Sequence, residues 1–272
     1  MTNYLDQNRL DGKVALVSGA ARGLGAEIVE ALLQAGCSVM LTDVRVELGT
    51  LKATDLANAH SGRAEFMRHD VTQEAEWVAA VEATIERFGG LDILVNNAGI
   101  ETSALVTECE LEDFRRTMAT NVEGVFLGMK HALRAMRPGG ASGRGGSIIN
   151  LSSVAGLVGS PSLVAYCASK GAVRLMTKAA ALEAAQLGYG VRINSIHPAV
   201  IKTDMGTNVV NNLVRVGLAP DEESADAFVQ SHHPMGYGQP SDVAAAVLHL
   251  AGTASAWMTG SELVLDGGAT AA

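Results

Sequence analysis

Near its N-terminus the chain has the sequence Lys13-Val-Ala-Leu-Val-Ser-Gly-Ala-Ala-Arg-Gly-Leu-Gly25. The apolar run at 13–17 is typical of a strand buried on both faces, and a helical stretch follows the glycines to about residue 36. The glycine spacing is GxxxGxG, which permits a tight turn, close approach of the backbone to a pyrophosphate, and close packing of the helix on the sheet. A pyrophosphate there would lie at a helix N-terminus, where N–H groups and the dipole favour an anion. The segment therefore predicts dinucleotide binding, and the alternative is an ordinary glycine-rich turn. The candidate cofactor-binding residues of this segment are Gly19, Arg22, Gly23, Leu24 and Gly25.

Short β-rich runs alternate with helical stretches along the rest of the chain. We predict strands at 13–17, 37–43, 64–69, 91–95, 147–151, 191–196 and 262–265. We predict helices from the glycine turn to about 36 and at 45–60, 74–88, 111–136, 162–187 and 241–252, with 204–235 irregular apart from helical pieces. Strands that alternate with helices pair in parallel, so the predicted fold is α/β, a doubly wound, seven-stranded parallel sheet of the Rossmann type. No linker-like change of composition divides the chain, and we expect a single domain over residues 1–272.

Composition excludes several classes of function. The 272 residues carry a net charge of −9, which does not suit nucleic-acid binding, and 48% of them are hydrophobic, enough for a sizeable core. Three scattered cysteines show no zinc or disulfide pattern, so we expect no metal site and a reducing compartment. The sequence has no run of 18 apolar residues and no secretory signal, so we expect no membrane partner and a cytoplasmic location. The adjacent histidines His232 and His233 are interpreted as a surface pair.

Acidic residues follow the second and third predicted strands. Asp43 lies about twenty residues beyond the glycines, where a carboxylate can accept hydrogen bonds from the adenine-side ribose. Asp70 and Val71 follow the third strand, where the edge of an adenine ring would lie. The alternative for Asp43 is an aspartate at a strand end that starts an ordinary turn.

Candidate catalytic residues occur in the second half of the chain. Tyr166 and Lys170 are four residues apart in a predicted helix and so share a face. A nearby ammonium stabilises a phenolate. With an oxidised nicotinamide in a desolvated site it would lower the tyrosine pKa by about three units, equivalent to roughly 4 kcal/mol, and allow acid–base chemistry at neutral pH. The alternative is a solvated pair. Ser152 and Ser153 follow the fifth strand, where a hydroxyl can bind a substrate oxygen or simply cap a turn. Asn121 interrupts the helix predicted at 111–136, and by itself it favours a solvent-facing or locally capped asparagine.

These elements together resemble the short-chain dehydrogenase/reductase family, and the resemblance extends from about residue 9 to the C-terminus. Each motif is weak alone, but their order and spacing are highly specific. The matching elements are Gly19-x-x-x-Gly23-x-Gly25, Asp70, Asn96-Asn-Ala-Gly99, Asn121, Ser153, Tyr166-x-x-x-Lys170, Pro198 and Thr203. Ser18 stands where the family often has threonine, and Ala199 where a glycine often follows the proline.

The resemblance implies roles for these residues. It makes Tyr166 the acid–base group, Lys170 the group that lowers its pKa and binds the nicotinamide ribose, Ser153 the group that orients substrate, and Asn121 the holder of a water that links Lys170 to solvent. It also implies that Asn97 and Gly99 lie against the cofactor ribose; the alternative is that this element stabilises the centre of the sheet. The residues implied near the nicotinamide carboxamide are Pro198, Ile201 and Thr203.

The activity that the resemblance implies is NAD-dependent oxidation of a secondary alcohol or reduction of a ketone. The segments at 233–236 and 259–268 resemble family members that act on bulky secondary alcohols, ketones and hydroxysteroids. We expect residues 204–235 to form a lid with apolar surface from Met205, Val209, Val210, Leu213, Val214 and Phe228. The alternatives are a 3-oxoacyl-thioester reductase, normally NADPH-dependent, and a non-catalytic dinucleotide-sensing protein.

Cofactor choice and assembly complete the expectations. Asp43 should repel a 2′-phosphate and so favour NAD, whereas Arg22 and Arg45 would attract one; Arg22 can also turn to solvent or pair with Asp43. We give the aspartate more weight and predict NAD. The resemblance further implies a homotetramer, packed through the helices predicted at 111–136 and 162–187 and through the C-terminal strand. Four alanines offer a small-residue face for that contact or pack only on the protein's own sheet: Ala172, Ala179, Ala180 and Ala184.

Overall fold

The computed structural model describes residues 6–271, and its centre is one parallel sheet. The strands are β1 Val14–Ser18, β2 Ser38–Asp43, β3 Ala64–Arg68, β4 Ile93–Asn96, β5 Gly146–Leu151, β6 Val191–Pro198 and β7 Glu262–Leu265. Their order across the sheet is β3-β2-β1-β4-β5-β6-β7, and every pair is parallel. The chain therefore reverses direction across the sheet between β1 and β4, which is the switch point where such sheets bind ligands. The predicted fold class is confirmed.

Helices cover both faces of this sheet. They are α1 Gly23–Gln34, α2 Val46–Ala59, α3 Glu74–Phe88, α4 Leu111–Met118, α5 Gly124–Met136, α6 Val164–Gln186, α7 Asp204–Arg215, α8 Glu222–Ser231 and α9 Pro240–Ala251. Local sequence explains several ends: α3 stops at Gly89, whose φ is 81°, and α9 starts with Pro240 inside a capping box. None of the helices within the described residues is long and apolar enough to cross a bilayer.

Strand β1 shows why the sheet reads as continuously apolar in sequence. All five of its residues are buried. Ala15 and Val17 pack into the core that includes residues of α1 and α9, whereas Leu16 packs into the opposite core with residues of α3 and α5. Because successive side chains point to opposite faces, helices on both faces require apolar residues at every position.

The helix predicted at 111–136 is interrupted. It consists of α4, a π-helical turn at Ala119–Glu123, and α5. Asn121 lies in that turn and is fully buried, so the solvent-facing interpretation of this residue is wrong. Its side-chain oxygen accepts a hydrogen bond from the Ile100 N–H at 2.9 Å, and its amide donates to the Ile100 carbonyl at 2.9 Å and to Ser169 Oγ at 3.0 Å. The widened turn is the local distortion that lets a polar side chain serve the loop after β4.

Residues 204–235 are more regular than predicted. Helices α7 and α8 account for most of the segment, and each begins at a side-chain cap that the irregular prediction missed. Thr203 accepts a hydrogen bond from the Gly206 N–H at 3.3 Å, and Asp221 accepts one from the Ser224 N–H at 2.8 Å.

The adjacent histidines after α8 differ from each other. His232 is exposed, as a surface pair requires. His233 is partly buried, its Nδ1 lies 2.7 Å from the Val229 carbonyl, and its Nε2 accepts a hydrogen bond from the Val200 N–H at 3.4 Å. The surface-pair interpretation is therefore wrong for His233, because backbone groups of α8 and of the loop after β6 hold its ring between them.

Candidate active site

The glycine turn lies between β1 and α1, at the carboxyl edge of the sheet. Gly19 and Gly23 have φ values of 66° and 57°, in the left-handed region that side chains disfavour. A Cβ added to Gly25 would lie 2.2 Å from the Gly19 carbonyl oxygen, so only glycine lets the helix start this close to the turn. A Cβ added to Gly23 would instead project into open space.

The start of α1 has the properties of an anion site. Among the described residues, the Arg22 side chain makes no cap to the first turn, and that turn contains no acidic residue. The unpaired N–H groups of a helix start and its dipole attract a phosphate. Together with the open space at Gly23, this arrangement fits the pyrophosphate of a dinucleotide.

Asp43 is fixed beside this turn. One of its oxygens accepts a hydrogen bond from the Ala21 N–H at 3.1 Å, and the other accepts one from the Arg45 N–H at 3.0 Å. Burial raises the pKa of this carboxyl, while the backbone bonds and the Arg22 charge act to lower it. Arg22 forms its ion pair with Asp204 at the start of α7, and the two side chains are 50% and 75% exposed. We expected Arg22 to turn to solvent or to pair with Asp43; in the structure it pairs with Asp204 of α7 instead.

The residues after β3 are occupied locally. Asp70 accepts hydrogen bonds from the Thr72 N–H at 3.0 Å and from the Thr72 hydroxyl at 2.8 Å, as aspartates commonly do in turns. Val71 is buried, and its carbonyl accepts a hydrogen bond from Trp77 Nε1 at 2.9 Å. The pair forms a fixed wall at the edge where the adenine was expected.

The Asn96-Asn-Ala-Gly99 element ties β4 to β1. Asn97 donates from its side-chain amide to the carbonyls of Ser18 and Gly19, at 3.0 and 2.9 Å. This is the sheet-stabilising interpretation of the element. Gly99 lies close to the catalytic candidates, because a Cβ there would be 3.3 Å from Asn121 Oδ1 and 3.6 Å from Lys170 Nζ.

Tyr166 and Lys170 lie together on α6, as the four-residue spacing predicts. Only 9% and 5% of them are exposed, so they are not a solvated surface pair. Lys170 Nζ is 5.5 Å from the centre of the Tyr166 ring and donates to the Leu151 carbonyl at the end of β5, at 2.8 Å. The last residue of β5 thereby holds the Lys170 ammonium close to the Tyr166 ring.

Burial dominates the electrostatics of this pair. Burial lowers the pKa of Lys170 to about 8. Burial also raises the pKa of Tyr166, and the Glu101 carboxylate raises it further, while a hydrogen bond with Ser153 lowers it. In the chain by itself the pKa of the tyrosine is therefore raised, because desolvation disfavours the phenolate; the expected lowering also requires the positive charge of an oxidised nicotinamide.

The two serines after β5 have separate tasks. Ser153 Oγ lies in hydrogen-bond contact with Tyr166, donates to the Pro198 carbonyl at 3.3 Å, and accepts from the Ala155 N–H at 3.2 Å. Ser152 Oγ is buried and donates to the Lys170 carbonyl at 2.9 Å, which fixes α6 against the strand. The family resemblance assigns the substrate-orienting role to Ser153 and not to Ser152. The structure agrees, because the Ser153 hydroxyl is the one that contacts Tyr166.

Pro198 is the last residue of β6, and Ile201 and Thr203 lie on the loop that follows it. Pro198 supplies the carbonyl that Ser153 contacts, and Ile201 is buried and forms a bridge with Gly238. Thr203 caps α7 and also donates to the Ile201 carbonyl at 3.3 Å. The loop is therefore anchored at both ends beside the serine.

The sequence interpretation missed two residues of this site. His197 is fully buried in β6; its Nδ1 lies 3.1 Å from the Ser153 carbonyl and its Nε2 lies 2.8 Å from Ser195 Oγ. With Nδ1 as the donor, His197 holds the backbone of Ser153. Glu101 lies near Tyr166 and accepts a hydrogen bond from the Asn212 side-chain amide of α7 at 3.3 Å. Its position after the β4 motif was the only available signal, because a single acidic residue in a loop has no pattern.

Comparisons with known proteins agree with this geometry. A family model described as "Enoyl-(Acyl carrier protein) reductase" matches residues 19–270. An NADP-dependent (R)-specific alcohol dehydrogenase from Lentilactobacillus kefiri is 39% identical over 267 residues, which cover 97% of this chain and 99% of the relative. A trans-4-hydroxycyclohexanecarboxylate dehydrogenase from Sinomonas cyclohexanicum is 40% identical over 270 residues, which cover 97% of this chain and 95% of the relative.

A solved structure has the same fold over nearly the whole chain. It is a short-chain type dehydrogenase/reductase from Mycobacterium marinum, with a TM-score of 0.86 and 33% identity, covering 99% of this chain and 100% of that one. With matches of this extent and a site of this composition, the chain belongs to the short-chain dehydrogenase/reductase family.

Proposed function

We propose that this chain oxidises a bulky secondary alcohol, or reduces the corresponding ketone, with NAD(H) as the cofactor. The observation that carries the proposal is the buried contact of Tyr166 with Ser153 above the Lys170 ammonium. One hydroxyl able to move a proton, one able to orient an oxygen, and one fixed positive charge are the groups that interconversion of an alcohol and a ketone requires.

The protein side of the mechanism follows from these contacts. Tyr166 Oη takes the alcohol proton during oxidation and returns it during reduction. Ser153 holds the substrate oxygen beside that phenol, and Lys170 stabilises the phenolate against the cost of burial. Asn121 keeps the loop after β4 and the Ser169 hydroxyl in place behind the ammonium. We also propose that Asn121 holds a water that links Lys170 to solvent.

The cofactor supplies the hydride acceptor or donor when bound. We propose that the glycine turn, with Arg22 and Leu24, holds the pyrophosphate and that Asp43 binds the adenine-side ribose. The other proposed contacts are Asp70 and Val71 at the adenine, Asn97, Gly99, Tyr166 and Lys170 at the ribose units, and Pro198, Ile201 and Thr203 at the carboxamide. The Asp43 carboxylate supports NAD over NADP, although the L. kefiri relative is named as NADP-dependent.

The lid and the substrate class belong to the same proposal. Helix α7 buries none of its residues, and its apolar side chains Val209, Val210, Leu213 and Val214 are only partly covered. A bulky hydroxysteroid-like, aryl or alicyclic substrate would complete their burial. The relative from S. cyclohexanicum is named for an alicyclic alcohol, which supports this class.

The charge of the lid argues against an acyl-carrier substrate. A cleft of about 670 Å³ lies along α7 and α8, and its acidic lining residues are Asp204, Glu222, Glu223 and Asp226. A negatively charged carrier or phosphorylated thioester would meet this surface with like charge. We therefore rank 3-oxoacyl-thioester reduction second and a non-catalytic dinucleotide sensor third.

The test is the absorbance of NADH with cyclohexanol, 1-phenylethanol, a hydroxysteroid and an acetoacetyl thioester. We expect turnover of the first three and little of the last. Tyr166→Phe should lose about a thousandfold in kcat while still binding NADH, because only the acid–base step is removed. Lys170→Ala should weaken both chemistry and NADH affinity. Near-full activity of Tyr166→Phe, or preference for the thioester, would overturn the proposal.

Assembly and location remain predictions. We propose a homotetramer, supported by large apolar side chains left exposed on α5 and α6 and at the C-terminal region: Phe126, Leu175, Leu182 and Trp257. Ala184 is buried and Ala180 is partly buried against the core, which favours packing on the protein's own sheet for these two alanines. We expect the enzyme to act in the cytoplasm on a small molecule.

A further inference from the structure

Glu101 is a carboxylate that lies two residues after Gly99, which is close to Lys170 in the loop after β4, and that contacts the lid helix α7. Its backbone follows Ile100, whose N–H and carbonyl are both bonded to the buried Asn121 side chain. Its side chain is partly buried and accepts a hydrogen bond from Asn212 on α7, with 3.3 Å between Oε1 and the amide nitrogen. The fold therefore places this carboxylate between the Asn121-bound loop and α7, close enough to Tyr166 for its charge to raise the pKa of the phenol.

This carboxylate has little compensation for its burial. None of the ion pairs found among residues 6–271 includes Glu101, and the amide of Asn212 is a neutral donor. A carboxylate offers two oxygens with about four acceptor positions, so one long amide bond leaves most of that capacity unused. Burial raises the pKa of the carboxyl, and the Asn212 bond lowers it. A donor brought in by a ligand would remove this cost.

We propose that Glu101 is a specificity-determining residue that accepts a hydrogen bond from a second donor group of the substrate, a hydroxyl or an ammonium. The preferred substrate is then an alicyclic secondary alcohol with one further donor on its ring, and a ring carboxylate is rejected. The inference rests on the proposed alcohol dehydrogenase function and narrows its substrate class. It also separates this chain from the relative named for trans-4-hydroxycyclohexanecarboxylate, whose namesake compound carries an anion.

The electrostatic argument has a definite sign. An ammonium near a partly desolvated carboxylate is attracted, a hydroxyl donates a hydrogen bond to it, a methyl group gains neither, and a second carboxylate is repelled. The apolar side chains of α7 contact the ring in every case. Only the ring substituent then distinguishes the four compounds.

The kinetic test compares four 4-substituted cyclohexanols, with methyl, hydroxyl, ammonium or carboxylate as the substituent. For the unmodified enzyme we expect kcat/KM for the hydroxyl and ammonium compounds to exceed that for the methyl compound by about tenfold, and the carboxylate to be poorest. In Glu101→Gln the ratio of ammonium to carboxylate should fall by about tenfold or more. The control is Glu108→Gln, an exposed carboxylate of the same loop, which should leave the ratios unchanged.

Binding provides a readout without turnover. Calorimetry on the enzyme–NADH complex should show cyclohexylammonium binding more tightly than cyclohexanecarboxylate, and Glu101→Gln should abolish the difference. Ratios and binding that do not change in Glu101→Gln would overturn the role of Glu101 even if the alcohols are oxidised. Absence of turnover with all the alcohols would overturn the proposed function instead, and calorimetry alone would then decide whether Glu101 selects for a donor.

Discussion

We propose that the choice between NAD and NADP depends on the Asp43 carboxylate. It is held by backbone N–H groups of the glycine turn and of Arg45, so it cannot swing away from an approaching ribose without losing both bonds. Arg22 is engaged with Asp204, which takes the guanidinium toward the lid. The structure therefore gives less support to Arg22 as a binder of a 2′-phosphate than to Asp43 as a binder of a free 2′-hydroxyl.

We predict that kcat/KM with NAD exceeds that with NADP by about a hundredfold, equivalent to about 2.7 kcal/mol, because a 2′-phosphate would be forced against the Asp43 charge. Asp43→Ser should narrow the gap, and Arg22 should then assist NADP. Steady-state kinetics with both cofactors measures this. Equal use of NADP by the unmodified protein would show that Asp43 does not face the ribose.

His69 is a second residue whose burial has a measurable consequence. It is 1% exposed, its Nδ1 lies 3.0 Å from Thr42 Oγ1, and its ring packs edge-on against Trp77 with centres 4.4 Å apart. Its Nε2 has no hydrogen-bond partner among the described residues. Burial lowers the pKa of His69 from 6.5 to about 4.

Stability should therefore fall in mildly acidic solution. Because the unfolded chain protonates this histidine first, its contribution is present above pH 6.5 and is lost as the pH falls toward 4. The shift corresponds to roughly 3 kcal/mol. Urea denaturation at several pH values should show a shallower acid decline in His69→Phe, which keeps the ring contact. An identical decline in both proteins would contradict the prediction; the lowered pKa of His197 leaves some slope in each.

At the scale of elements, the π-helical turn between α4 and α5 links the first half of the site to the second. Asn121 joins the loop after β4 to Ser169 on α6, next to Lys170. Regular α-helical periodicity continues on either side, so the sequence indicated one helix through 111–136. The π-helical turn accompanies the two hydrogen bonds between the buried Asn121 side chain and the backbone of Ile100, and helical periodicity does not record such a long-range contact.

Replacing that asparagine tests the link. Asn121→Leu preserves approximate size but leaves the Ile100 N–H and carbonyl without their partner, and we expect a loss of about 2–4 kcal/mol of unfolding free energy. The matched control is Asn208→Leu, at an exposed position of α7, which should change stability by less than about 0.5 kcal/mol. Equal effects of the two substitutions, measured by urea denaturation, would contradict the structural role of Asn121.

At the scale of the whole molecule, helices α5 and α6 expose large apolar side chains that a single chain leaves uncovered. Leu175 and Leu182 are 64% and 63% exposed on α6, and Phe126 is 50% exposed on α5. Leu175 and Leu182 are seven residues apart and therefore share one face of α6, and exposed apolar side chains on one face are typical of a protein–protein interface. Trp257 is also fully exposed, near the C-terminal strand.

We expect light scattering to show a tetramer at micromolar concentration. Leu175→Glu combined with Leu182→Glu should produce a smaller species, because charge would be buried at the contact. The control is Leu51→Glu on α2, a leucine of similar exposure, 62%, outside this surface. A stable monomer of the unmodified chain would refute the prediction.

Local sequence determined the sheet, the glycine turn and the shared face of Tyr166 and Lys170. These features depend on side-chain alternation, on glycine conformation and on helical spacing, all of which act over a few residues. The predicted strands lie within about two residues of the observed ones for the same reason.

Tertiary structure alone decided how residues distant in the sequence meet. It joined Glu101 to Asn212 of α7, linked Arg22 to Asp204, buried Asn121 against Ile100, and brought His197 to the Ser153 carbonyl. It also buried Tyr166, which raises the pKa of the phenol in the absence of the nicotinamide that the sequence argument includes. Burial and charge at these positions come from elements that pack across the sheet edge, and no local pattern records which side chains that packing brings into contact.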